Sequence, residues 1–286
     1  MIESLKITRM RLSKLVFTAC VLTLSIASLG QDNKYEVLAL KFATNGRVAI
    51  SSVATGVTSK DSLEICYMFW LLKGKNGKKI LVDAGFTDTT DMRGLKYTRP
   101  EVMLQRINVK PDEITDIIIT HPHRDHINGI DLFPNAMVWM QREDFNYFVG
   151  AAWQKGGSTI GFKKGDVQKI IQRNLDKKLT LVNGDDLEIL PGIKVFIGSK
   201  HTYESQYVLV NTNSDVVIIA SDSSWFYYNL IHLLPIPLTF DPKGYLENIK
   251  RMKAMVKDVN LIIPGHDPLV FSNFTNVADG IVRIRD

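Results

Sequence analysis

The stretch Asp116-Ile117-Ile118-Ile119-Thr120-His121-Pro122-His123-Arg124-Asp125-His126 constrains this chain more than any other. Its short apolar run reads as a buried strand. Four metal-ligand side chains then arrive within six residues, in the pattern HxHxDH. A polar turn has no structural use for three imidazoles and a carboxylate packed this closely. The chain holds only six histidines, and three of them sit here. In a turn, His121 and His123 can bite one metal, while Asp125 and His126 point towards a second position. Imidazole and carboxylate at this density suit zinc or a similar first-row ion.

Three further residues follow apolar strands in the second half. His201 comes after Ile193 to Gly198, Asp222 after Val217 to Ser221, and His266 after Leu261 to Gly265. A sheet can aim loops at the ends of its strands towards a common point. Together with the HxHxDH loop, the set supplies seven ligands for two metals.

The rest of the pattern predicts a mixed α/β chain. Strands are expected over Tyr35 to Ala43, Glu64 to Leu72, Lys79 to Asp83 and Met137 to Met140. Lys75-Asn76-Gly77-Lys78 is a hairpin turn signal. Helical spacing covers Arg99 to Ile107, Ile127 to Phe133 and Val167 to Leu175, and Gln141 to Trp153 reads as a helix or lid. The glycine-rich stretch Gly156 to Gly165 reads as a mobile loop. The second half adds strands at Lys178 to Val182, Leu187 to Leu190, Ile193 to Gly198, Gln206 to Asn211 and Val216 to Ser221. Asp241 and Pro242 open a helix running to about Lys257, and Leu261 to Ile263 forms a last short strand. Two strand-rich halves with late helices suit a four-layer αββα sandwich, although periodicity alone does not separate it from other mixed folds.

Residues 1–30 read as a signal peptide. Basic residues end at Lys14, an apolar stretch runs from Leu15 to Leu29, and Ser28 and Gly30 suit a cut before Gln31. The stretch is shorter than the roughly 20 residues of a spanning helix. The mature chain, 31–286, is therefore expected to be exported to the periplasm or secreted, with no stable membrane association after cleavage. The formal charge of +5 comes largely from Lys6, Arg9, Arg11 and Lys14 against Glu3, so nothing points to nucleic acid. Cys66 would remain alone after cleavage, in an apolar run, as a buried small hydrophobe.

The chain resembles the metallo-β-lactamase superfamily, and within it the dinuclear-zinc N-acyl homoserine lactonases. The resemblance runs from about Tyr35 to Pro268. It rests on Leu81-Val82-Asp83-Ala84-Gly85, Thr120 to His126, His201, Ser221-Asp222 and Pro264-Gly265-His266. It implies the αββα sandwich and two Zn2+ per chain. His121, His123 and His201 would hold one ion, Asp125, His126 and His266 the other, and Asp222 would bridge. Asp83 resembles a carboxylate that steadies the ligand loop; a simple turn role is the alternative. No cysteine stands in the second half, which disfavours β-lactamases with a Cys ligand. Glyoxalase II shares the seven ligands, so a thioesterase or β-lactamase-like activity stays open beside lactone hydrolysis.

The implied chemistry is attack of a metal-bridging hydroxide on the carbonyl of an acyl lactone, with Asp125 shuttling a proton to the leaving oxygen. One departure concerns the substrate side. Familiar lactonases carry a Tyr three residues after the bridging Asp, where this chain has Trp225. Tyr228 would supply a phenol if Ser223 to Leu230 is helical; otherwise Tyr227 and Tyr228 pack or line the pocket. Candidates for an acyl groove are Met68, Phe69, Trp70, Phe145, Tyr147, Phe148, Trp225, Phe226 and residues 233–238.

Overall fold

Alternation along one strand sets the layers. In β2 (Ser62–Gly74), Cys66, Met68, Trp70 and Leu72 face one apolar core, while Tyr67, Phe69 and Leu71 face another. A strand buried on both faces must lie in a sheet covered on both sides. The computed structural model describes residues 33–90 and 94–286. The expected signal peptide and its cut site lie outside the described residues.

Two sheets form the centre. The first contains β1 (Tyr35–Ala49), β2, β3 (Lys79–Val82), β4 (Lys96–Tyr97), β5 (Asp116–Ile118), β6 (Met137–Gln141), β7 (Leu179–Val182), β13 (Thr275–Ala278) and β14 (Ile281–Arg285). Its order is β13-β14-β1-β2-β3-β5-β6-β7, with β4 beside β1. The second has the order β12-β11-β10-β9-β8, from β8 (Leu187–Leu190), β9 (Ile193–Ile197), β10 (Gln206–Asn211), β11 (Val216–Ser221) and β12 (Ile262–Pro264). The core between them joins Val37, Trp70 and Val82 to Val195, Val208 and Ile219. On the outer face of the first sheet lie α1 (Pro100–Gln105), α3 (Arg142–Val149) and α4 (Lys164–Leu175), through Met103, Phe148 and Ile170. The long helix of the other outer layer, α6 (Pro242–Met255), buries Tyr245, Ile249 and Met252. The fold is an αββα sandwich.

Several local features refine the expected pattern. The hairpin at Lys75 to Lys78 joins β2 to β3, with Gly77 at φ +82°. Asp241 caps α6 by accepting the Gly244 N–H at 2.9 Å, with Pro242 at the first helical position. The helix stops at Met255, short of Lys257. Helix α1 also stops early: Asn108 takes φ +56°, and Val109 N–H returns to Leu104 O. Residues 142–149 are helical, but Gly150 breaks the run before a single turn at Ala151–Trp153. The stretch from Gly156 to Gly165 is fastened rather than loose: Tyr147 Oη accepts the Ser158 N–H, and Gly161 O accepts the Arg124 N–H. Ile262–Pro264 is not the last strand. The hairpin β13–β14 follows, and its turn residues Asp279-Gly280 are the signal that marks it.

Strand direction places the functional ends together. β3 and β5 are parallel, with Val82 opposite Ile118. β11 and β12 are parallel as well, with Ser221 opposite Pro264. The carboxyl ends of these four strands carry Asp83, the HxHxDH loop, Asp222 and His266, which is where open α/β sheets collect their sites. Gly129 locks the ligand loop to the end of β3, since its N–H donates to Gly85 O at 2.9 Å. A Cβ there would lie 2.1 Å from Ala84 O, a backbone atom that cannot rotate away. Gly129→Ala is therefore expected to lower stability by about 1–3 kcal/mol, the usual cost of overpacking, as a reduced urea midpoint. An unchanged midpoint would show that no such lock operates.

Candidate metal centre

Four loops deliver the seven side chains. The first leaves β5 at Thr120, presents His121 and His123, and then turns into the short helix α2 (Arg124–Ile127), which projects Asp125 and His126. His201 stands in the loop between β9 and β10, Asp222 directly after β11, and His266 directly after the Pro264-Gly265 end of β12. Two glycines let these loops approach. A Cβ on Gly265 would come 2.5 Å from Asp222 Oδ1, and one on Gly161 2.5 Å from the His123 ring.

The side chains gather as two groups. His121, His123, His201 and Asp222 form one, and Asp125, His126 and His266 the other, each with ligand atoms within 4.8 Å of one another. His123 Nδ1 lies 3.1 Å from His121 Nε2 and 2.9 Å from His201 Nε2. Asp222 Oδ2 lies 3.0 Å from His201 Nε2 and 3.7 Å from His121 Nε2. Its other oxygen, Oδ1, turns to the second group, 3.1 Å from His266 Nε2 and 3.5 Å from His126 Nε2. Asp125 Oδ2 completes that group at 3.4 Å from His126 Nε2 and 3.7 Å from His266 Nε2. Donors on a tetrahedral zinc at its usual bond lengths sit about 3.3 Å apart, so these separations match.

Hydrogen bonds behind the rings decide which nitrogen faces inward. His201 Nδ1 donates to Leu238 O at 2.7 Å, His266 Nδ1 to Cys66 O at 3.0 Å, and His126 Nδ1 to Asp83 Oδ2 at 2.8 Å. These acceptors have no proton to give, so each ring carries its own on Nδ1 and offers Nε2. The Thr120 hydroxyl donates to Asp83, which leaves its lone pair for His121 Nδ1 at 3.0 Å. Asp83 is fully buried and holds the centre from behind. It accepts from Thr120 N–H at 2.8 Å, from Ser221 Oγ at 3.0 Å and from His126. Orienting partners of this kind are as much a part of a metal site as its ligands.

Burial and neighbouring charges pull the ligand groups in opposite directions. Burial holds the His121 imidazole well below its ordinary value, with His126 adding to the effect. Burial, helped by His201, lowers His123 to about 3. Burial opposes protonation of His126 and His266 too, yet carboxylates win there. Asp125 and Asp83 raise His126 well above 6.5, and Asp222 raises His266. Among the described residues, His126 Nε2 and Asp222 Oδ1 are buried with no hydrogen-bond partner. Orphaned donor atoms of two ligand types, facing one point, fit a divalent metal.

Residues 66–266 match the family model of the metallo-beta-lactamase superfamily. The chain belongs to that superfamily. It is 27% identical to an N-acyl homoserine lactonase of Bacillus cereus over 248 residues, covering 80% of this chain and 92% of that protein. A probable metallo-hydrolase of Methanocaldococcus jannaschii is 27% identical over 192 residues, covering 67% of this chain and 72% of that one. Among solved structures, a quorum-quenching N-acyl homoserine lactone lactonase superposes with a TM-score of 0.68 at 25% identity, over 87% of this chain and 99% of that one. The protein is thus a metallo-hydrolase of this superfamily, similar to the lactonases.

The seven expected ligands come together; Tyr228 does not join them. Phe226 is extended, at φ −135° and ψ 155°, so α5 (Tyr227–His232) begins after Trp225. The helical turn that would bring Tyr228 beside Trp225 therefore does not exist, and the Tyr228 ring packs on His232 at 4.3 Å. A pocket of about 200 Å3 opens over the centre, lined by Ile65, Tyr67, His123, Asp125, His201, Asp222, Trp225, Leu238 and His266. The only phenol in this lining is Tyr67, set edge-on to His266 at 5.4 Å. Burial, with the Asp125 charge, pushes its hydroxyl up to about 12. Met68, Phe69 and Trp70 are core, whereas Trp225 and Leu238 reach the pocket. Period-two alternation in β2 is the signal that puts Ile65 and Tyr67 on the pocket side.

Two outcomes are expected. Asp83→Ala should weaken zinc binding by roughly ten- to a hundredfold, measured by chelator competition, because it frees His126 and Thr120 together. Carboxylates raise His126 and His266 while burial lowers His121 and His123, so protons compete with an incoming metal chiefly at His126 and His266. Zinc affinity should then rise with pH as these two imidazoles lose their protons, measured by chelator competition at several pH values. An affinity that does not change with pH would contradict this charge arrangement.

Proposed function

We propose that this protein opens the lactone ring of N-acyl homoserine lactones, using two zinc ions held by the seven side chains. The observation that carries the reading is the division of Asp222 between two histidine groups beneath an apolar-walled pocket. His121, His123 and His201 would hold one ion and Asp125, His126 and His266 the other, with one Asp222 oxygen turned to each. Such a pair of ions, when bound, lowers the pKa of water towards neutrality and polarises a carbonyl oxygen.

The protein's own residues supply the rest. Ile65, Tyr67, Trp225 and Leu238 wall the pocket and exclude bulk water from the reacting carbonyl. Asp125 is the most open of the ligands, at 20% side-chain exposure, and borders the same pocket. In this reading it accepts a proton and returns it to the leaving oxygen of the opened ring. The likeness to Bacillus lactonases supports a neutral acyl lactone as substrate. Residues 1–30, read as an export signal, would place the reaction outside the cytoplasm. The amino terminus of the exported protein is then expected near Gln31, as N-terminal sequencing can check.

A substrate panel with zinc present tests the reading. Acyl homoserine lactones should be hydrolysed, with S-lactoylglutathione and a β-lactam far behind, and acid should re-close the product ring. Preference for either alternative substrate would overturn the lactonase assignment while keeping the superfamily chemistry. Burying one more methylene against the apolar wall is worth about 0.8 kcal/mol, so kcat/KM should rise roughly fourfold per methylene until the wall ends.

A further inference from the structure

We infer that Trp225 is a positioning residue for the carboxylate that joins the two ligand groups. This inference rests on the metal-binding reading above. The indole Nε1–H donates to Asp222 Oδ2 at 2.7 Å, and Asp222 itself is buried. The ring stands edge-on to His201 at 5.8 Å, interplanar 81°, and to His266 at 6.1 Å, interplanar 80°. It therefore touches one histidine from each group and the carboxylate between them. The Trp225 backbone serves the same purpose, since its C=O accepts the His266 N–H at 2.9 Å.

The donor's geometry decides how Asp222 is turned. A carboxylate after β11 can rotate about its last bond and present either oxygen to either group. The indole N–H, held between two rings, selects Oδ2. That leaves Oδ1 without a hydrogen-bond partner and aimed at His126 and His266. An indole gives up no proton in the accessible pH range, so towards Asp222 it acts only as a donor. A phenol here could be drawn away to a substrate oxygen. The indole is committed to the ligand.

The full chain, stripped of zinc and reloaded, provides the test. Zinc affinity is measured by competition with a chromogenic chelator for the natural protein and for Trp225→Phe, which keeps an aromatic ring and loses the N–H. The variant should bind zinc roughly ten- to a hundredfold more weakly while its zinc-free form melts as cooperatively as the natural protein. Equal affinity overturns the inference and leaves the metal reading standing, whereas a natural protein that binds no zinc overturns both. A second measurement needs no substitution. The chain has four tryptophans. The Trp139 and Trp153 indoles donate to Asp116 and Phe148 O, and the Trp70 Nε1 has no partner among the described residues. Zinc should thus displace one indole N–H resonance of the natural protein far more than the other three. Four unmoved resonances in a zinc-loaded sample overturn the assignment of Trp225 to the carboxylate.

Discussion

Everything at this centre leans on the Asp83 carboxylate. It is fully buried, and a buried carboxylate is costly unless its oxygens are satisfied. Thr120, Ser221 and His126 satisfy them; Thr120 and His126 come from the first ligand loop and Ser221 from the end of β11. Thr120 stands just past the strand that launches the HxHxDH loop. Ser221 ends the strand that launches Asp222. His126 is itself a ligand. One charged group thus ties the two sheets together at the point where the metal would sit. Asp83 and Ser221 both adopt left-handed backbone conformations, at φ 61° and 46°. Such conformations cost about 1–3 kcal/mol each in non-glycine residues, and the Ser221 hydroxyl bond to Asp83 offsets part of that cost.

Much of this is legible in the sequence because ligands spaced so densely serve little besides metal binding. HxHxDH after an apolar run locates the first loop, and His201, Asp222 and His266 stand out as polar residues at strand ends. The strands with strong alternation are equally readable. What escapes a reading of the sequence is set by long-range contacts. The hairpin β13–β14 is short and half-exposed, and it is a strand pair because β1 lies beside it. The stretch from Gly156 to Gly165 has loop composition, yet Arg124 of the ligand loop and Tyr147 of α3 fasten it.

Tyr228 shows the limit of local periodicity. Its helix exists, but one residue of extended backbone at Phe226 moves the start of α5 past Trp225. A ring expected over the site therefore faces His232. Tyr67 and Ile65 take up pocket positions from a strand far earlier in the chain, where alternation announces a face but not what that face meets.

The bond between His266 Nδ1 and Cys66 O has a kinetic meaning as well. It joins residues 200 positions apart, and Cys66 N–H returns to His266 O across the same gap. Contacts of such separation form only after the chain has paid the entropy of closing a very long loop. His266 therefore gains its Nδ1 acceptor only when the Cys66 strand and the end of β12 have come together. The complete ligand set thus comes into being only when the sandwich closes.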